Sequence, residues 1–327
     1  MGESNWFLWS VFGVVVLTMM ALDLGVFHKK QHVVSVREAL TWTAVWVALS
    51  LCFALAIRVW VDPVFLADPR NSVENRPSLE YLACYLTEYA LSVDNIFVFL
   101  VIFSYFAIPE ASQHRVLFWG IFGAMLMRAL FLLVGIEAIQ RFHWMVWVLG
   151  GLLILTGVKL FLQKEDAQLD PEKNVVLRLA RRFLPVTNEF HGSKFWVVQG
   201  GRRVATPLFL ALLVVETTDV LFAIDSVPAA LGISQNLLVV YTSNVFAILG
   251  LRSLFFAVGG LLKFLHYLKP GLSAILVFVG VKMVLPEEHK IPISAALSVV
   301  GGILVLAVVA SLVRARVVRG REEGGER

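Results

Sequence analysis

Two acidic stretches lie within apolar segments of the chain, Glu88-Tyr-Ala-Leu-Ser-Val-Asp94-Asn95 and Glu216-Thr-Thr-Asp219-Val-Leu-Phe-Ala-Ile-Asp225-Ser226-Val-Pro228. The apolar surroundings decide the fold class, because the 327 residues are 58% hydrophobic and only 16% charged. Soluble domains carry about 25% charged residues. The composition therefore predicts a membrane protein, and carboxylates at membrane depth mark a functional site by default.

Apolar runs long enough to cross a bilayer recur along the chain, since about 20 helical residues span the hydrocarbon core. They predict an all-α polytopic membrane protein with about nine transmembrane helices. The predicted spans are 6–27, 39–60, 79–103, 116–138, 144–162, 205–230, 236–258, 270–285 and 292–313.

Basic residues are divided unequally between the two sets of loops that these spans define. One set holds 19 lysines and arginines, most of them in 163–204 and 314–327, and the opposite set holds 4. Loops rich in lysine and arginine stay in the cytoplasm. The N-terminus is therefore expected outside and the C-terminus in the cytoplasm.

The two acidic stretches also belong to an internal repeat, in which two units of three spans can be aligned. The aligned positions are Thr87-Glu88 with Thr218-Asp219, Asp94 with Asp225, Asn95 with Ser226, Phe122 with Phe246, Arg128 with Arg252, Gly135 with Gly259, and Gly157-Val-Lys159 with Gly280-Val-Lys282. Because three is odd, consecutive units must cross the bilayer in opposite directions. Inverted repeats are typical of secondary transporters, whose sites lie at the repeat interface; a purely structural duplication is the alternative.

These features divide the chain into six parts. We expect two N-terminal transmembrane helices in 1–78, a first three-helix repeat in 79–162, a cytoplasmic linker loop in 163–204, a second repeat in 205–285, a last transmembrane helix in 286–313 and a basic cytoplasmic tail in 314–327. Within the linker, 175–183 has a helix-like pattern. The linker could be a solvated connection, or it could bind a regulator or partner.

The candidate ligands are carboxylates and neutral oxygens inside the spans. They are Asp23, Glu88, Asp94, Asn95, Glu216, Asp219, Asp225 and Ser226. Each ionised residue in a helix centre costs roughly 2.5–3.5 kcal/mol, so the six acids would cost well over ~10 kcal/mol if they were unpaired. Only Arg128 and Arg252 are available in mid-span to support them. The excess negative charge therefore predicts protons or a bound cation.

Oxygen ligands suit hard divalent ions such as Mn²⁺, Mg²⁺ or Ca²⁺. Neither acidic stretch contains cysteine, methionine or histidine, which disfavours Cu⁺ and Zn²⁺. Two other interpretations remain open. The acids could be structural salt-bridge partners of Arg128 and Arg252, and Asp23 could lie among lipid headgroups beside Lys29 and Lys30. Glu216 is the least certain ligand in the repeat, because Tyr85 stands at the equivalent position.

The spacing of the acids leaves the helix geometry open as well. Glu88 and Asn95 are seven residues apart and share a helix face, whereas Asp94 points about 100° away. Asp219, Asp225 and Ser226 repeat this arrangement. Either the helices are packed on several sides, or they are broken near Asp94 and Asp225. Pro228 favours a break in the second stretch, because proline removes a backbone donor.

Several longer motifs resemble those of the TerC/Alx family of integral membrane proteins. They are Glu88-Tyr-Ala-Leu-Ser-Val-Asp94-Asn95-Ile-Phe-Val-Phe, Val215-Glu216-Thr-Thr-Asp219, Phe222-Ala-Ile-Asp225-Ser226-Val-Pro228-Ala, Thr242-Ser-Asn244-Val-Phe-Ala-Ile-Leu-Gly-Leu-Arg252 and Ala21-Leu-Asp23-Leu-Gly-Val-Phe27. The resemblance covers essentially the whole chain. It implies a bacterial inner-membrane protein of metal-ion homeostasis that exports Mn²⁺, within the wider lysine-exporter superfamily.

The resulting expectation is a transporter and not an enzyme. Its partners would be a divalent metal ion, protons whose entry could be coupled to export, and the lipid bilayer, with no resident cofactor and no nucleic acid. The resemblance also offers two alternatives, a membrane scaffold for tellurite resistance and a redox modulator. The two cysteines, Cys52 and Cys84, form no Cys-x-x-Cys motif that would favour redox chemistry.

Overall fold

The computed structural model describes residues 2–27, 35–69, 71–162, 174–258, 267–286, 289 and 291–325, and it is mainly helical. The long helices are α1 (Gly2–Phe27), α2 (Val36–Trp60), α4 (Pro77–Tyr105), α5 (Glu110–Arg141), α6 (Met145–Leu162), α8 (Pro207–Leu231), α9 (Leu237–Val258), α10 (Leu268–Val284) and α11 (Ile293–Gly325). The short elements are α3 (Asp62–Leu66), a 3₁₀ turn (Val73–Asn75) and α7 (Val175–Phe183).

Six helices within the described ranges are long and apolar enough to cross a membrane. They are Val36–Leu66, Glu110–Arg141, Met145–Leu162, Pro207–Leu231, Leu237–Phe256 and Ile293–Ser311. A shorter apolar helix covers Trp6–Ala21. Two helices, α4 with its three acidic residues and α10 with 17 residues, are not among the six. The chain is thus a helical membrane protein, and the count of nine spans remains a prediction.

Local sequence explains where several helices begin and end. Proline occupies the first helical position of α4 and of α8, where its missing N–H costs no hydrogen bond. The Asn174 side chain caps α7 by accepting from the backbone N–H groups of Val176 and Leu177. After α4 the chain turns sharply at Ala107, whose φ of 49° lies in the left-handed region. Tight connections of this kind hold neighbouring helices close together.

The linker contains one element that the all-α prediction missed. Strands β1 (Trp196–Gln199) and β2 (Arg202–Ala205) pair antiparallel as a hairpin. The two residues between them, Gly200 and Gly201, have φ of 58° and 76°, which is the backbone of a tight two-residue hairpin turn. The prediction for α7 is confirmed, since this helix covers 175–183.

The helices α4 and α8 pack against each other and run in opposite directions. Near the start of α4, Ser234 Oγ donates to Glu80 Oε2 (2.5 Å), and Cys84 Sγ lies 3.8 Å from the carbonyl oxygen of Ala230. These partners lie at or just beyond the end of α8. At the opposite end, the last turns of α4 and the first turns of α8 contribute to one apolar cluster.

The helices α6 and α10 form the closest helix pair of the bundle, and they also run antiparallel. A Cβ added to Gly280 would lie 2.8 Å from the carbonyl oxygen of Gly150. Farther along, a Cβ added to Gly157 would lie 2.9 Å from the carbonyl oxygen of Ser273, and Ser273 Oγ donates to the Gly157 carbonyl (2.6 Å). Small residues thus bring the two backbones into direct contact, as is common within membranes.

Candidate functional site

A buried ion pair lies at the centre of the bundle, where α4, α5 and α9 meet. Arg128 on α5 pairs with the Glu88 carboxylate on α4, and both side chains are almost fully buried, at 4% and 2% exposed. Arg128 Nη1 also donates to Asn244 Oδ1 on α9 (2.7 Å). Ser92 Oγ donates to Glu88 Oε1 (3.2 Å). The charges are therefore both paired and hydrogen-bonded, as a buried ion pair requires.

Two further carboxylates lie on α8 near this ion pair, Asp219 beside Arg128 and Glu216 beside Asp219. Asp219 is buried and lies close enough to Arg128, Glu216 and Glu88 to interact with their charges. The Glu216 carboxylate packs against Gly123 on α5, where any added Cβ would overlap its oxygens. Glycine at 123 therefore makes the space that Glu216 occupies. Among the described residues, two acids lie beside Arg128 and the third, Glu216, lies beside Asp219.

A small cavity of about 90 Å³, lined by apolar and polar side chains, opens beside this cluster. The Asp225 carboxylate of α8 lines it and accepts a hydrogen bond from Thr156 Oγ1 on α6 (3.1 Å). Asp225 also lies within range of the Lys159 charge. The lining residues are Leu91, Asn95, Arg128, Thr156, Leu160, Phe222, Asp225, Ser226, Leu272 and Leu276.

The Ser226 hydroxyl is the least satisfied polar group of this cavity. Ser226 is 3% exposed, and among the described residues its Oγ finds no hydrogen-bond partner. A buried hydroxyl without a partner is costly, and Ser226 lies in the wall of this cavity.

Arg128 connects the two parts of the site, because it both pairs with Glu88 and lines the cavity. The predicted ligands are therefore distributed between two places. Glu88 and Asp219 lie beside Arg128, with Glu216 next to Asp219, whereas Asp225, Asn95 and Ser226 line the cavity. Within the described ranges, no three His, Cys, Asp or Glu side chains form a group that could hold a metal ion by themselves.

Three predicted site residues fall on side chains outside the described part of the structure. Asp23, Asp94 and Arg252 belong to the helical backbones of α1, α4 and α9, respectively. Their roles as ligand or supporting charge remain predictions.

Of the two explanations for the spacing of the acids, a break near Asp94 or Asp225, which Pro228 favoured in the second stretch, is wrong, and continuous helices are confirmed. Helix α8 continues from Pro207 to Leu231, and α4 is likewise continuous through the backbone of Asp94. Pro228 stands only three residues before the end of α8, so its missing N–H removes one hydrogen bond without interrupting the helix. Asp219 and Asp225 face different surroundings because α8 is packed on several sides.

Several polar contacts of the site were not assigned from sequence. Thr156 precedes the Gly157 landmark of the repeat, and Asn244 lies inside a quoted family motif, but neither received a role. Ser92 and Gly123 were also missed. Ser92 lies one helical turn after Glu88 on α4, and Asn244 lies two turns before Arg252 on α9. This spacing from a named site residue was the sequence signal that could have identified them.

Comparison with known proteins identifies the family. The sequence matches the integral membrane protein TerC family over residues 73–319. The chain belongs to the TerC family. An uncharacterized membrane protein of Myxococcus xanthus is 50% identical over 311 residues, which cover 94% of this chain and 93% of the relative.

Other TerC relatives also match this chain over nearly the whole length of both proteins. The protein of Escherichia coli K12 named "Putative membrane-bound redox modulator Alx" is 41% identical over 303 residues, covering 91% of this chain and 92% of its own length. An uncharacterized membrane protein of Rickettsia bellii is 36% identical over 310 residues, covering 95% and 98%. No solved structure matches the chain.

Proposed function

We propose that this TerC protein is a membrane transporter that exports Mn²⁺, or a similar divalent cation, from the cytoplasm. The observation that carries the proposal is the cavity within the membrane bundle, whose lining includes the Asp225 carboxylate, the Asn95 amide, and Ser226, whose hydroxyl has no partner among the described residues. Oxygen donors of these kinds are the ligands that hard divalent cations prefer.

The size of the cavity supports a partly hydrated ion. A buried water needs roughly 10–15 Å³ of such volume, so about 90 Å³ accommodates an ion with several waters. Few direct protein ligands are then needed, which agrees with the lack of a group of three ligating side chains among the described residues.

The charge balance supports a cationic cargo and not an anionic one. Glu88 and Asp219 lie beside Arg128, Glu216 lies beside Asp219, and the charge near Asp225 is that of the exposed Lys159. The described site thus holds four acids and one buried arginine. An uncompensated carboxylate is expensive at membrane depth. A divalent cation or protons would offset the excess, and exchange between the two would couple export to proton entry.

The helix contacts support an inverted repeat. The repeat alignment places Gly157 on Gly280, and by the same shift Gly150 on Ser273. If each residue is replaced by its counterpart in the other unit, the contact between Gly150 and Gly280 becomes the contact between Ser273 and Gly157. The structure contains both contacts, as a symmetric pair of units would. The helix pairs show the same symmetry. In the alignment, α4 corresponds to α8 and α5 corresponds to α9; the structure packs α4 against α9 and, equivalently, α8 against α5. The antiparallel course of α4 and α8 is the relation that an inverted pair requires.

The direction of transport follows from the predicted topology. With the N-terminus outside, nine spans and the 163–204 linker in the cytoplasm, α6 ends and α10 begins at the cytoplasmic side. Leu160 and Leu272, which line the cavity, lie in those terminal turns. One end of the cavity therefore reaches towards the cytoplasmic ends of α6 and α10, where a cation would enter for export across a bacterial inner membrane.

The proposal is tested by measuring ⁵⁴Mn²⁺ release from loaded proteoliposomes. Asp225→Asn should lower the rate at least tenfold, because it removes the carboxylate charge of the cavity while keeping its shape. Glu137→Gln, which alters an exposed acid on α5, serves as the matched control and should transport normally. Mg²⁺, Ca²⁺, Fe²⁺ and Zn²⁺ are added as competitors. Absence of Mn²⁺ flux in the wild type, with no competition, would overturn the proposal.

The name of the Alx relatives favours a second candidate, a redox modulator. In this chain Cys52 is exposed on α2, whereas Cys84 is buried in α4, and both are free thiols. A variant with both cysteines replaced by alanine separates the candidates: redox modulation through these thiols requires loss of activity, and the transporter proposal requires retention. A scaffold for tellurite resistance would instead depend on the charges of the 163–204 linker and tolerate Asp225→Asn.

A further inference from the structure

Helix α7 in the linker carries an apolar surface that the protein covers only in part. Val175, Leu179 and Phe183 are spaced four residues apart, so they form one stripe along the helix. They are 60%, 48% and 74% exposed, respectively. On the neighbouring side, Leu177 and Ala180 are buried. The apolar side of α7, here called its apolar arc, therefore has two halves. The half with Leu177 and Ala180 packs against the protein, and the half with Val175, Leu179 and Phe183 is exposed.

The buried half fixes α7 at one end of the transmembrane bundle. Leu177 and Ala180 join the apolar cluster that includes Leu208 and Leu210 in the first turn of α8. Arg181 Nη2 lies 3.5 Å from the Tyr105 hydroxyl at the last residue of α4. Both contacts lie where membrane helices end, so α7 is held at the level at which the bundle leaves the hydrocarbon.

The remaining face of α7 is basic. Arg178, Arg181 and Arg182 are exposed and lie on the side of α7 opposite its apolar arc as a whole. The hairpin that follows adds Arg202 and Arg203, also exposed. The segment 174–206 contains six lysines and arginines and a single acid, Glu189. An apolar stripe flanked by arginines is the pattern of helices that lie in a membrane interface.

We propose that α7 is an interfacial helix that binds the anionic headgroups of the adjacent lipid leaflet. Its exposed stripe enters the boundary between headgroups and acyl chains, and its arginines pair with phospholipid phosphates. The occupant is lipid because the stripe is continuous with the end of a lipid-embedded bundle and because its flanks are positively charged. Basic residues at a membrane surface are attracted to anionic lipid in this way. The inference does not depend on which ion is transported.

The test uses the full-length protein in proteoliposomes of neutral phosphatidylcholine, with or without 30% phosphatidylglycerol. Phe183→Cys, in a Cys52→Ser background, carries an environment-sensitive nitrobenzoxadiazole label. Asn188→Cys, at an exposed loop position in the same segment, is the matched control, and the background without an introduced cysteine measures labelling of Cys84. Lipids bearing a nitroxide near the headgroup serve as the quencher.

The label at 183 is expected to shift to shorter wavelength and to be quenched by the nitroxide lipid at least threefold more than the label at 188. Adding Arg178→Gln, Arg181→Gln and Arg182→Gln should remove the part of the quenching that depends on phosphatidylglycerol. A label at 183 that iodide in the water quenches as strongly as at 188 would overturn the proposal. So would a shifted label that lipid nitroxide does not reach, which would indicate cover by a second copy or another protein. Equal quenching in neutral and anionic vesicles would overturn the headgroup assignment.

Discussion

At the scale of single residues, Arg128 is the side chain on which most of the site depends. It pairs with Glu88, bonds Asn244 and lines the cavity. Arg128→Met should destabilise the bundle by about 3–5 kcal/mol, because removing one partner leaves the other charge buried and uncompensated. The measurement is the midpoint of thermal unfolding in detergent, followed by fluorescence-detected size exclusion.

The control for this prediction is another charged pair on the same helix. Arg141 and Glu137 form an exposed pair at 3.8 Å, with Arg141 72% exposed, and such pairs contribute only about 0.3–0.5 kcal/mol. Arg141→Gln should leave the midpoint nearly unchanged. Adding Glu88→Gln to Arg128→Met should recover part of the loss, and a double variant no more stable than the single one would contradict the pairing argument.

Thr156 is expected to orient the cavity carboxylate. Thr156→Val removes the hydroxyl that donates to Asp225, while keeping the side-chain volume. A hydrogen bond to a charged group contributes about 1.5 kcal/mol or more, so the Mn²⁺ concentration for half-maximal efflux should rise roughly tenfold. Efflux from proteoliposomes at graded Mn²⁺ concentrations measures the effect.

Two comparisons make the role of Thr156 specific. Thr156→Ser keeps the donor and should behave like the wild type. Thr43→Val, on α2, removes a hydroxyl that bonds only its own helix at the Ala39 carbonyl, and it should leave Mn²⁺ dependence unchanged. Identical dependence in Thr156→Val and the wild type would exclude an orienting role.

The acids of the site could be identified from the sequence because a charged residue inside an apolar span is rare. Each acid is therefore recognisable without knowing which helices are its neighbours. The pairing of Arg128 with an acid was likewise among the expectations. The contacts of Thr156 and Asn244 could not be predicted, since they depend on how α6 and α9 are rotated about their own axes. That rotation is set by packing against neighbouring helices, and no single-residue pattern reports it.

At the scale of elements, the contact between α6 and α10 depends on glycine. Gly157→Ala would place a methyl group 2.9 Å from the Ser273 carbonyl and 3.1 Å from the Val277 nitrogen, both backbone atoms. Overpacking of this kind costs typically 1–3 kcal/mol, so the thermal midpoint should fall. Gly280→Ala, on the opposite helix, should act in the same direction.

The same helix offers a matched control at Gly151. A Cβ added there meets nothing within 4 Å, and alanine is favoured over glycine in helices by roughly 1 kcal/mol. Gly151→Ala should therefore be neutral or slightly stabilising. Equal midpoints for Gly151→Ala and Gly157→Ala would mean that the two helices are not in close contact at Gly157.

Elements were predictable where a local signal was strong. The amphipathic pattern gave both ends of α7, whereas the β-hairpin was overlooked although Gly200-Gly201 separates two short runs that can pair. The linker was treated as irregular because its polarity outweighed these weak signals. Conversely, Pro228 was given too much weight, because proline close to a helix end costs a single hydrogen bond.

At the scale of the whole molecule, the repeat and the charge distribution together determine which way the cavity faces. The distribution of 19 against 4 basic residues predicts that the hairpin and the helix α7 are cytoplasmic, and that the loop before α4 is outside. If so, the cavity near Leu160 and Leu272 opens towards the cytoplasm. Reversed orientation would turn the same cavity into an entry site for uptake.

Single cysteines in whole cells test this orientation. In a Cys52→Ser background, Ser72→Cys in the loop before α4 should react with a membrane-impermeant maleimide in intact spheroplasts, whereas Gln199→Cys at the hairpin should react only after the membrane is opened. Both positions are exposed or partly exposed in the structure, so a difference reports the side of the membrane and not burial. Labelling of Gln199→Cys from outside would show that the assigned topology is inverted. It would then also contradict the inference that the cation enters from the cytoplasm. Because Leu160 and Leu272 place one end of the cavity near the ends of α6 and α10, the orientation measured at the hairpin decides which side of the membrane that end of the cavity faces.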